Sequence, residues 1–319
     1  MHNLIRELLL RKLNNPTLKE LQDAAVIDYG QRFAFTTDSF VVSPLRFPGG
    51  DIGKLAVCGT VNDLVMLAAL PQYLSLALIV EEGLDYDILE YIVNSIAFHA
   101  KKAKVCIATG DLKVVESGAC DKIFINTSGI GRILRNKKLS IRNIDLCDRI
   151  IVTGNIAQHG MAVLAKRKEL DLGFNIQSDC AALNSLILPI IKKTNAIKFM
   201  RDPTRGGIAT TLNEIAEGCG LGIVIEEKKI PILGKVRAAC ELLGIEPLYV
   251  ANEGIAILIV RDDSAKKVLN LLRKNPLGKN ARIIGTVVKQ PKGKVVLNTS
   301  LGTQRIVGML IGDPLPRIC

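Results

Sequence analysis

Five aspartates of this sequence lie in segments with glycine, threonine or asparagine rather than on helix faces rich in lysine and glutamate. Carboxylates beside hydroxyls and turn backbone suit Mg²⁺, a hard cation that takes oxygen ligands and substrate phosphates. Any one of them alone is more often a turn or capping residue, but five in such settings favour a metal–nucleotide site. They are Asp23, Asp38 in TTDS, Asp63 in VND, Asp111 in TGD and Asp202 in MRDPTRGG.

The common phosphate-binding motifs are missing from the sequence. The segment GGDIGKL (49–55) fails the first glycine spacing of a P-loop and has no Ser or Thr after Lys54. The segment SGIGR (128–132) stops after two of the three glycines of a dinucleotide-binding loop. An ATP site in this chain must therefore belong to another kind of fold.

The histidines and most of the cysteines give weaker signals. His2, His99 and His159 have no spacing typical of a metal cluster or a catalytic triad, and His159 is most simply a turn residue. Seven cysteines lie in or beside apolar segments, which is typical of small buried hydrophobic residues. These are Cys58, Cys106, Cys120, Cys147, Cys180, Cys219 and Cys240.

Cys319 differs from the other cysteines because of its position. It is the last residue of the sequence and follows GDPLPR (312–317), in which two prolines favour an extended arm. A thiol on such an arm can reach a distant pocket. The alternative is an incidental frayed end, and position alone does not decide between the two.

The composition is that of a globular cytoplasmic protein. Of the 319 residues, 48% are hydrophobic and 23% are charged. The net charge of +11 raises nucleic acid as a partner, but the basic residues form short separate groups without interleaved aromatics, so we expect no nucleic-acid binding. No signal pattern and no CxxC pair occur, which indicates reduced cytosolic thiols. The apolar window 64–80 is interrupted by Pro71, Gln72 and Ser75 and predicts a buried helix and strand rather than a membrane span.

Strands and helices alternate along the chain, which indicates α/β or α+β architecture in two domains. We expect a first domain at 1–148, a second at 149–304 and a mobile tail at 305–319. In the first domain, helices are predicted at 4–13, within 48–69 and at 86–103, and strands at 24–27, 32–42, 73–81, 105–109 and 122–132. In the second, strands are predicted at 150–154, 222–225, 253–260, 283–288 and 295–298, and helices at 160–168 and 264–274.

Several segments resemble the HypE family of hydrogenase-maturation carbamoyl dehydratases, in the superfamily of aminoimidazole ribonucleotide synthetase and selenophosphate synthetase. The resemblance covers nearly the whole chain, and the PRIC ending separates this family from the synthetases because its substrate is the terminal cysteine. The segments are DAAVI (23–27), FTTDSFVVSPLRFPGGDIGKLAVCGTVNDL (35–64), TGDLKVV (109–115), FINTSGIG (124–131), MRDPTRGG (200–207), LNEIAEG (212–218), YVANEG (249–254) and LPRIC (315–319).

The resemblance implies a synthetase-like fold of two α/β domains with a flexible tail, N-terminal domains that pair in a homodimer, and ATP between the halves. It implies that ATP converts a carbamoyl group on the sulfur of Cys319 into a thiocyanate, which supplies the cyanide ligand for the iron of nickel–iron hydrogenase. A HypF-like carbamoyltransferase would load the tail, and an iron-carrying scaffold complex would receive the cyanide. We expect no membrane as a partner.

The resemblance also assigns residues to roles. The Mg²⁺–phosphate ligands implied are Asp23, Asp38, Asp63 and Asp202, and the residues near the nucleotide are Asp38, Asn62, Asp63, Thr109, Gly110 and Asp111. Lys113 and Glu253 are implied to handle protons and developing charge at the thiocarboxamide. We expect the tail to alternate between an outward position for loading and an inward one, with Cys319 beside Lys113 and Glu253 of its own chain.

The sequence departs from the family pattern at two places. Two alternative functions also compete with the one that the resemblance implies. The family's HGxGG segment does not precede the first predicted helix, and Gln22 stands where the family has an aspartate. One alternative is a related phosphoryl-transfer synthetase that releases a small product, which would leave the PRIC ending without a purpose. The other is a docking scaffold without catalysis, in which Mg-ATP would leave the mass of a carbamoylated tail unchanged.

Overall fold

The first domain is built on a five-stranded mixed sheet in the order β1-β2-β7-β5-β6. The structure is a computed structural model, and it describes residues 23–28, 30–134, 139–170, 175–312 and 317–318. The elements of this domain are β1 (Ala25–Asp28), β2 (Arg32–Phe40), β3 (Arg46–Phe47), β4 (Gly50–Asp51), α1 (Ile52–Met66), β5 (Ala69–Glu81), α2 (Tyr86–Ala103), β6 (Cys106–Val115) and β7 (Ile123–Ile133).

Helix α1 connects the sheet of the first domain to the second domain. Its N-cap is Asp51, whose carboxylate accepts the backbone N–H of Lys54 at 3.0 Å. Almost every residue of the helix is buried, as expected for a helix that is apolar on all sides and covered by neighbours. Helix α2 is amphipathic instead, and it buries only Ile92, Ile96, Ala100 and Ala103.

Strand register divides the side chains of this sheet between two faces. Asp38, Thr127, Leu76 and Gly110 are aligned across β2, β7, β5 and β6. This row faces α1, since the hydroxyl of Thr127 contacts that of Thr60 on the helix. The opposite face, which we call the open face, carries Phe35, Tyr73 and Ile79 at 42%, 50% and 41% exposure. An apolar sheet face exposed to this extent is typical of a surface that a partner covers.

The second domain is built on a seven-stranded sheet in the order β14-β13-β10-β12-β8-β11-β9. Its core is a separate apolar cluster, whereas the other large cluster runs from α1 across the domain boundary to α4 and α7. The elements are β8 (Arg149–Val152), α3 (Gln158–Arg167), α4 (Asn184–Lys193), β9 (Ile197–Arg201), α5 (Gly207–Cys219), β10 (Gly222–Glu226), α6 (Gly234–Leu243), β11 (Ile257–Val260), α7 (Asp262–Arg273), β12 (Arg282–Val288), β13 (Val295–Asn298) and β14 (Gln304–Val307).

The two-domain α/β architecture predicted from the sequence is confirmed, and the domain limits need adjustment. Residues 305–307, assigned to the tail, form part of strand β14, which pairs with β13. Ser140 donates its N–H to the carbonyl of Lys198 at 3.1 Å, and Ile144 is buried in the second core, so contacts of the second domain begin before residue 149. The helix predicted at 4–13 lies outside the described residues.

Other expectations differ from the structure at single residues. Cys106 and Cys147 are exposed rather than buried, because Cys106 begins an edge strand and Cys147 lies in a turn with φ of 67°. Glu253, placed in a strand by its sequence, precedes β11 in a loop. In the part of the chain that the structure describes, no helix is both long enough and apolar enough to cross a membrane.

Candidate active site between the two domains

Four of the predicted aspartates converge where the first sheet meets the second domain. Asp38 lies on β2, Asp63 on α1, Asp23 just before β1, and Asp202 directly after β9. The Thr36 hydroxyl lies 2.8 Å from Oδ2 of Asp63 and 3.0 Å from the carbonyl oxygen of Asp23. The structure therefore brings together the four residues predicted as Mg²⁺–phosphate ligands.

The charges of these carboxylates are poorly compensated. Burial, opposed by the cation of Arg201, raises the pKa of Asp23 to about 6. Burial and then the charge of Asp23 raise the pKa of Asp202 to about 8. Burial, followed by repulsion from Asp202, Asp38 and Asp23, holds the pKa of Asp63 well above its usual range. Such mutual repulsion favours a cation at the centre of the cluster.

Arg201 is the counter-ion that the structure shows for part of this cluster. Its Nε lies 3.1 Å from Oδ1 of Asp23, and its Nη1 lies 3.0 Å from Oε2 of Glu214. Among the described residues, no group of three or more His, Cys, Asp and Glu side chains has the geometry of a complete metal centre. Mg²⁺ commonly takes only one or two protein carboxylates together with substrate phosphates and water, and this donor set fits that kind of site.

Glu253 lies between the two domains, on a loop whose backbone N–H groups donate hydrogen bonds to Asp179. One oxygen of Asp179, Oδ2, accepts the N–H groups of Glu253 and Gly254 at 2.9 and 2.7 Å. Only glycine fits at position 254, since a Cβ there would lie 1.8 Å from the carbonyl oxygen of Asp179. Burial, followed by repulsion from Asp202, Asp38 and Asp179, raises the pKa of Glu253 well above its usual value. Glu253 is therefore a buried carboxyl group of the kind that acts in proton transfer.

Asn62, predicted to lie near the nucleotide, contacts backbone groups with its side chain. Its side-chain nitrogen donates to the carbonyl oxygens of Ala181 and Glu253, both at 3.1 Å, and its oxygen accepts the N–H of Leu183 at 2.8 Å. These partners belong to the second domain. Asn62 thus joins helix α1 to the loop of Glu253, next to Asp63.

The residues predicted on the TGDLK segment lie apart from this cluster. Thr109, Gly110, Asp111 and Lys113 are on β6, the exposed edge strand, and Gly110 is three strand spacings, about 14 Å, from Asp38. Lys113 and Asp111 form an ion pair at 2.7 Å with side chains 69% and 61% exposed. Their register with Ile79 and Ala77 places them on the open face. Within one chain, the structure does not bring Lys113 to Glu253, contrary to the expectation from sequence.

The penultimate residues of the chain occupy the domain boundary. Ile318 is only 4% exposed and belongs to the apolar cluster that contains α1. The Arg317 guanidinium donates to the carbonyl of Val41 at 2.9 Å and lies 2.8 Å from Asp121. Cys319, the predicted catalytic residue, lies outside the described residues, as do 313–316. The inward position expected for Cys319 stays a prediction.

His159, interpreted from sequence as a turn residue, is buried in the first turn of α3. Its Nε2 lies 2.9 Å from the carbonyl oxygen of Ile318, and its Nδ1 lies 2.9 Å from Oγ of Ser178. The start of this helix is fixed by the side chain of Asn252, which accepts the N–H of Ala157 at 2.7 Å. The loop that carries Glu253 therefore also positions His159. The sequence signal was a lone histidine between Gln158 and a glycine, which has no specific meaning.

Two buried cysteines and a lysine complete the surroundings. Cys58 on α1 and Cys180 are buried against each other, and this contact, with burial, raises the pKa of the Cys180 thiol well above its usual range. The ammonium group of Lys54 donates to the carbonyl of Gly49 at 2.6 Å. Its charge also lowers the pKa of Cys180, so it lies near that thiol. Lys54 is therefore a cation near the site, although the segment that contains it lacks the spacing of a P-loop.

Comparison with known proteins places this architecture among related folds. The model of the N-terminal domain of AIR synthase related proteins matches residues 21–133, and that of the C-terminal domain matches residues 148–298. A carbamoyl dehydratase HypE of Rhodobacter capsulatus is 45% identical over 100% of this chain and 95% of its own length.

Solved structures of HypE proteins are also similar to this chain. A chain in a crystal structure of a HypE–HypF complex superposes with a TM-score of 0.92 at 46% identity, over 96% of this chain and 99% of that one. A HypE crystal structure in complex with ATP is similar, with a TM-score of 0.88 at 46% identity over 100% of this chain and 96% of that one. The similarity extends over both domains.

Proposed function

Because this chain belongs to the AIR synthase related family and, within it, to the carbamoyl dehydratases named HypE, we propose that it dehydrates a carbamoyl group on the thiol of its own Cys319. It is an ATP-dependent carbamoyl dehydratase of hydrogenase maturation. The proposal concerns where the substrate is held and which residues act on it.

The burial of Ile318 is the observation that carries this assignment. Consecutive Cα atoms are about 3.8 Å apart, so we propose that the thiol of the next residue acts at the domain boundary. The hydrogen bonds of His159 to Ile318 and Ser178, and of Asp179 to Glu253, connect this point to the buried carboxyl group. A carbamoyl group on the next thiol would lie in a region from which the buried side chains exclude water.

The chemistry requires both phosphoryl transfer and proton removal. The oxygen of a thiocarbamate is a poor leaving group, and transfer of the γ-phosphoryl group of ATP to that oxygen turns it into phosphate. Loss of the two nitrogen protons and of phosphate then gives the thiocyanate R–S–C≡N, so that R–S–C(O)NH₂ and ATP yield R–S–C≡N, ADP and phosphate. A buried carboxyl group with a raised pKa suits the removal of a nitrogen proton, and we assign this role to Glu253.

The acidic cluster suits the phosphate end of the nucleotide. Mg²⁺, when bound, supplies charge neutralisation between carboxylates and phosphates. One or two of the carboxylates of Asp38, Asp63 and Asp202 would hold it directly and the rest through water, with Asp23 paired to Arg201 at 3.1 Å. The arrangement binds and orients the triphosphate, and the raised pKa values of Asp63 and Asp202 reflect burial of several like charges before a cation is present.

We further propose that two copies pair through the open faces of their N-terminal sheets. The exposed Phe35, Tyr73 and Ile79 supply an apolar surface for this contact. The ion pair of Lys113 with Asp111 lies on the same face. Pairing would bury these charges and bring Thr109, Asp111 and Lys113 of one copy against the other, while Gly110 on the same strand faces α1. Each complete site would then draw on both copies.

A carbamoyltransferase and an iron-carrying scaffold complete the proposed set of partners. The similar chain at a TM-score of 0.92 was crystallised as a HypE–HypF complex, which supports a HypF-like protein as the donor of the carbamoyl group. Loading would require the tail to leave the domain boundary, because Ile318 is buried there. Transfer of cyanide to iron on a scaffold would follow from the same outward position.

The test begins with protein carbamoylated on its thiols by cyanate, which avoids the need for a loading enzyme. After incubation with Mg-ATP, mass spectrometry of the C-terminal peptide should show the loss of one water, with one ADP formed per peptide converted. Cys319→Ser should abolish this change, and Cys106→Ser, at an exposed cysteine on β6, should not. ATP hydrolysis with an unchanged peptide mass would overturn the proposal.

A further inference from the structure

The end of the described chain is held by two side chains of helix α3 in the second domain. Arg167 on α3 donates through Nε to the carbonyl of Ser43 at 2.7 Å and through Nη2 to the carbonyl of Arg317 at 2.5 Å. The next carbonyl, that of Ile318, accepts from His159 at 2.9 Å. Two successive peptide groups of the tail are therefore recognised through their backbone, which fixes the direction in which the chain continues.

The tautomer of His159 follows from its two neighbours. A backbone carbonyl only accepts, so Nε2 carries the hydrogen and donates to Ile318. Burial lowers the pKa of His159, which favours the neutral ring, and Nδ1 then accepts from the Ser178 hydroxyl at 2.9 Å. The Ser178 oxygen in turn accepts the N–H of Cys180 at 3.0 Å. The ring is thus oriented from behind by the segment Ser178–Cys180.

Asp179 lies in the middle of that segment. One of its carboxylate oxygens accepts hydrogen bonds, and the other accepts none from the described residues. Its Oδ2 accepts two backbone N–H groups, those of Glu253 and Gly254. Its Oδ1 is buried and has no hydrogen-bond partner among the described residues. A buried carboxylate oxygen without a donor is costly, so a donor is expected there when the site is complete. Asp179 follows Ser178, which contacts His159, and accepts the N–H of Glu253, so it lies near both the docked tail and the loop of the proposed base.

The chemistry of the missing donor follows from the tail. A thiocarbamate carries an NH₂ group with two hydrogens. We propose that His159 and Asp179 form a tail-positioning pair, in which His159 fixes the Ile318 carbonyl and Oδ1 of Asp179 accepts an N–H of the carbamoyl group that the docked tail end carries when it is loaded. Both are positioning residues, and the inference rests on the proposed function.

In this arrangement, the segment Ser178–Cys180 orients both the tail and the proposed base. Its serine orients His159 and therefore the tail, and its aspartate orients the loop of Glu253 and therefore the base. Because adjacent residues do both, the nitrogen of the carbamoyl group and the carboxylate that removes its proton are aligned by one short stretch of backbone. Helix α1 steadies this stretch through the contacts of Asn62 with Ala181 and Leu183.

Asp179→Asn is the variant that isolates the free oxygen. The amide oxygen still accepts the N–H groups of Glu253 and Gly254, which fix its orientation, and the NH₂ group replaces Oδ1 with a donor. The loop stays capped, but an N–H of the carbamoyl group now meets another donor. In single-turnover reactions of cyanate-loaded protein with Mg-ATP, we expect dehydration at least about ten-fold slower.

The effect of replacing His159 is measured as the rate at which a reagent alkylates the Cys319 thiol. In unloaded protein with Mg-ATP, the alkylation rate of Cys319 is compared by mass spectrometry with those of Cys106 and Cys147 in the same digest, which are exposed. His159→Leu removes the donor and should raise the relative rate about ten-fold. His159→Gln places an N–H donor near the former Nε2 and should restore most of the protection.

The two readouts together decide the proposal. Asp179→Asn should leave alkylation of Cys319 within about two-fold of the wild type while slowing dehydration, a split that loss of structure alone would not produce. If Asp179→Asn dehydrates the loaded tail at the wild-type rate, the role of Asp179 is overturned. If Cys319 of His159→Leu is alkylated at the wild-type rate, the role of His159 is overturned. Equal alkylation in His159→Leu and His159→Gln would also contradict the role of the donor. If the wild-type chain itself leaves its loaded tail unchanged, the proposed function fails instead.

Discussion

The side-chain nitrogen of Asn62, in the first domain, lies 3.1 Å from the carbonyl oxygen of Glu253, in the second. The residue that precedes a proposed magnesium ligand therefore holds the loop of the proposed base. Movement of α1 relative to the second domain would separate Asp63 from Asp202 and break the contact of Asn62 with the loop of Glu253. The site depends on the relative position of the domains as much as on the identity of its side chains.

We expect Asn62→Ala to lower the free energy of unfolding by about 2–4 kcal/mol, because three buried hydrogen bonds are lost and their backbone partners stay buried. Denaturant unfolding measures this loss. Asn298→Ala is the matched control, since Asn298 contacts only the side chains of Glu226 and Gln304 in the hydrogen bonds described. A loss in Asn62→Ala no larger than in the control would contradict its role at the domain boundary.

The reaction should accelerate as pH rises. Burial, with repulsion from Asp202, Asp38 and Asp179, raises the pKa of Glu253 well above 4.5, and only the ionised form accepts a proton. The stability linked to Glu253 should change in the opposite direction. The folded state holds this proton more tightly than the unfolded state, so its contribution is lost as pH rises above about 4.5 through the folded pKa.

The single-turnover rate and the melting temperature should therefore be followed over the same pH range. Glu253→Gln should abolish dehydration and remove part of the slope of stability against pH. The result that would count against this assignment is a dehydration rate independent of pH in the wild type.

Subunit mixing tests whether the site is shared between two copies. If Lys113 of one copy serves the Glu253 of the other, Lys113→Ala and Glu253→Gln are each inactive alone. In a mixed dimer, one site then carries both changes and the other carries neither. Random mixing in equal amounts should restore about a quarter of wild-type activity.

The control for this experiment is a mixture of Lys113→Ala with itself under the same exchange conditions. No recovery in the heterodimer, once mass spectrometry shows that it has formed, would place Lys113 and Glu253 in the same site of one chain or remove Lys113 from the reaction.

Replacing Asp63 with Asn should have opposite effects on ligand binding and on the ligand-free protein. Mg-ATP affinity should fall at least about ten-fold, because a carboxylate of the proposed magnesium site is lost. The metal-free protein should melt at a higher temperature, since repulsion from Asp202, Asp38 and Asp23 is relieved. Calorimetric titration and thermal unfolding measure the two. Asp262→Asn, whose side chain is 54% exposed beside Arg149, should change neither much, and unaltered Mg-ATP affinity in Asp63→Asn would remove Asp63 from the site.

The sequence predicted helices and strands well where periodicity decides them. Helix α2 begins and ends where it was expected, at Tyr86 and Ala103, because an amphipathic pattern marks its whole length. Strand β6 was expected to end at residue 109 but continues to Val115. Its second half contains Gly110, Asp111 and Lys113, which have low strand propensity, and pairing with the long strand β5 overrides that propensity.

The site was predictable only in part. Its aspartates were identified because carboxylates beside glycine, threonine or asparagine are chemically distinctive, although Asp38 lies on a strand and Asp63 on a helix. His159 and Asp179 were missed, since their importance comes from contacts with residues far away in sequence, such as the bond from His159 to Ile318 across 159 positions. Spacing along the chain carries no information about such contacts.

The docking of Ile318 has a kinetic consequence for a substrate that is part of its own enzyme. The link between strand β14 and the docked residues runs from Gly308 to Pro316, and a short tether of this kind keeps its end at an effective concentration of the order of millimolar. Dilution of the protein leaves that concentration unchanged. The dehydration step therefore has no Michaelis constant for the carbamoyl group, and dilution that leaves the two copies paired slows only the encounters with the proteins that load the tail and unload it.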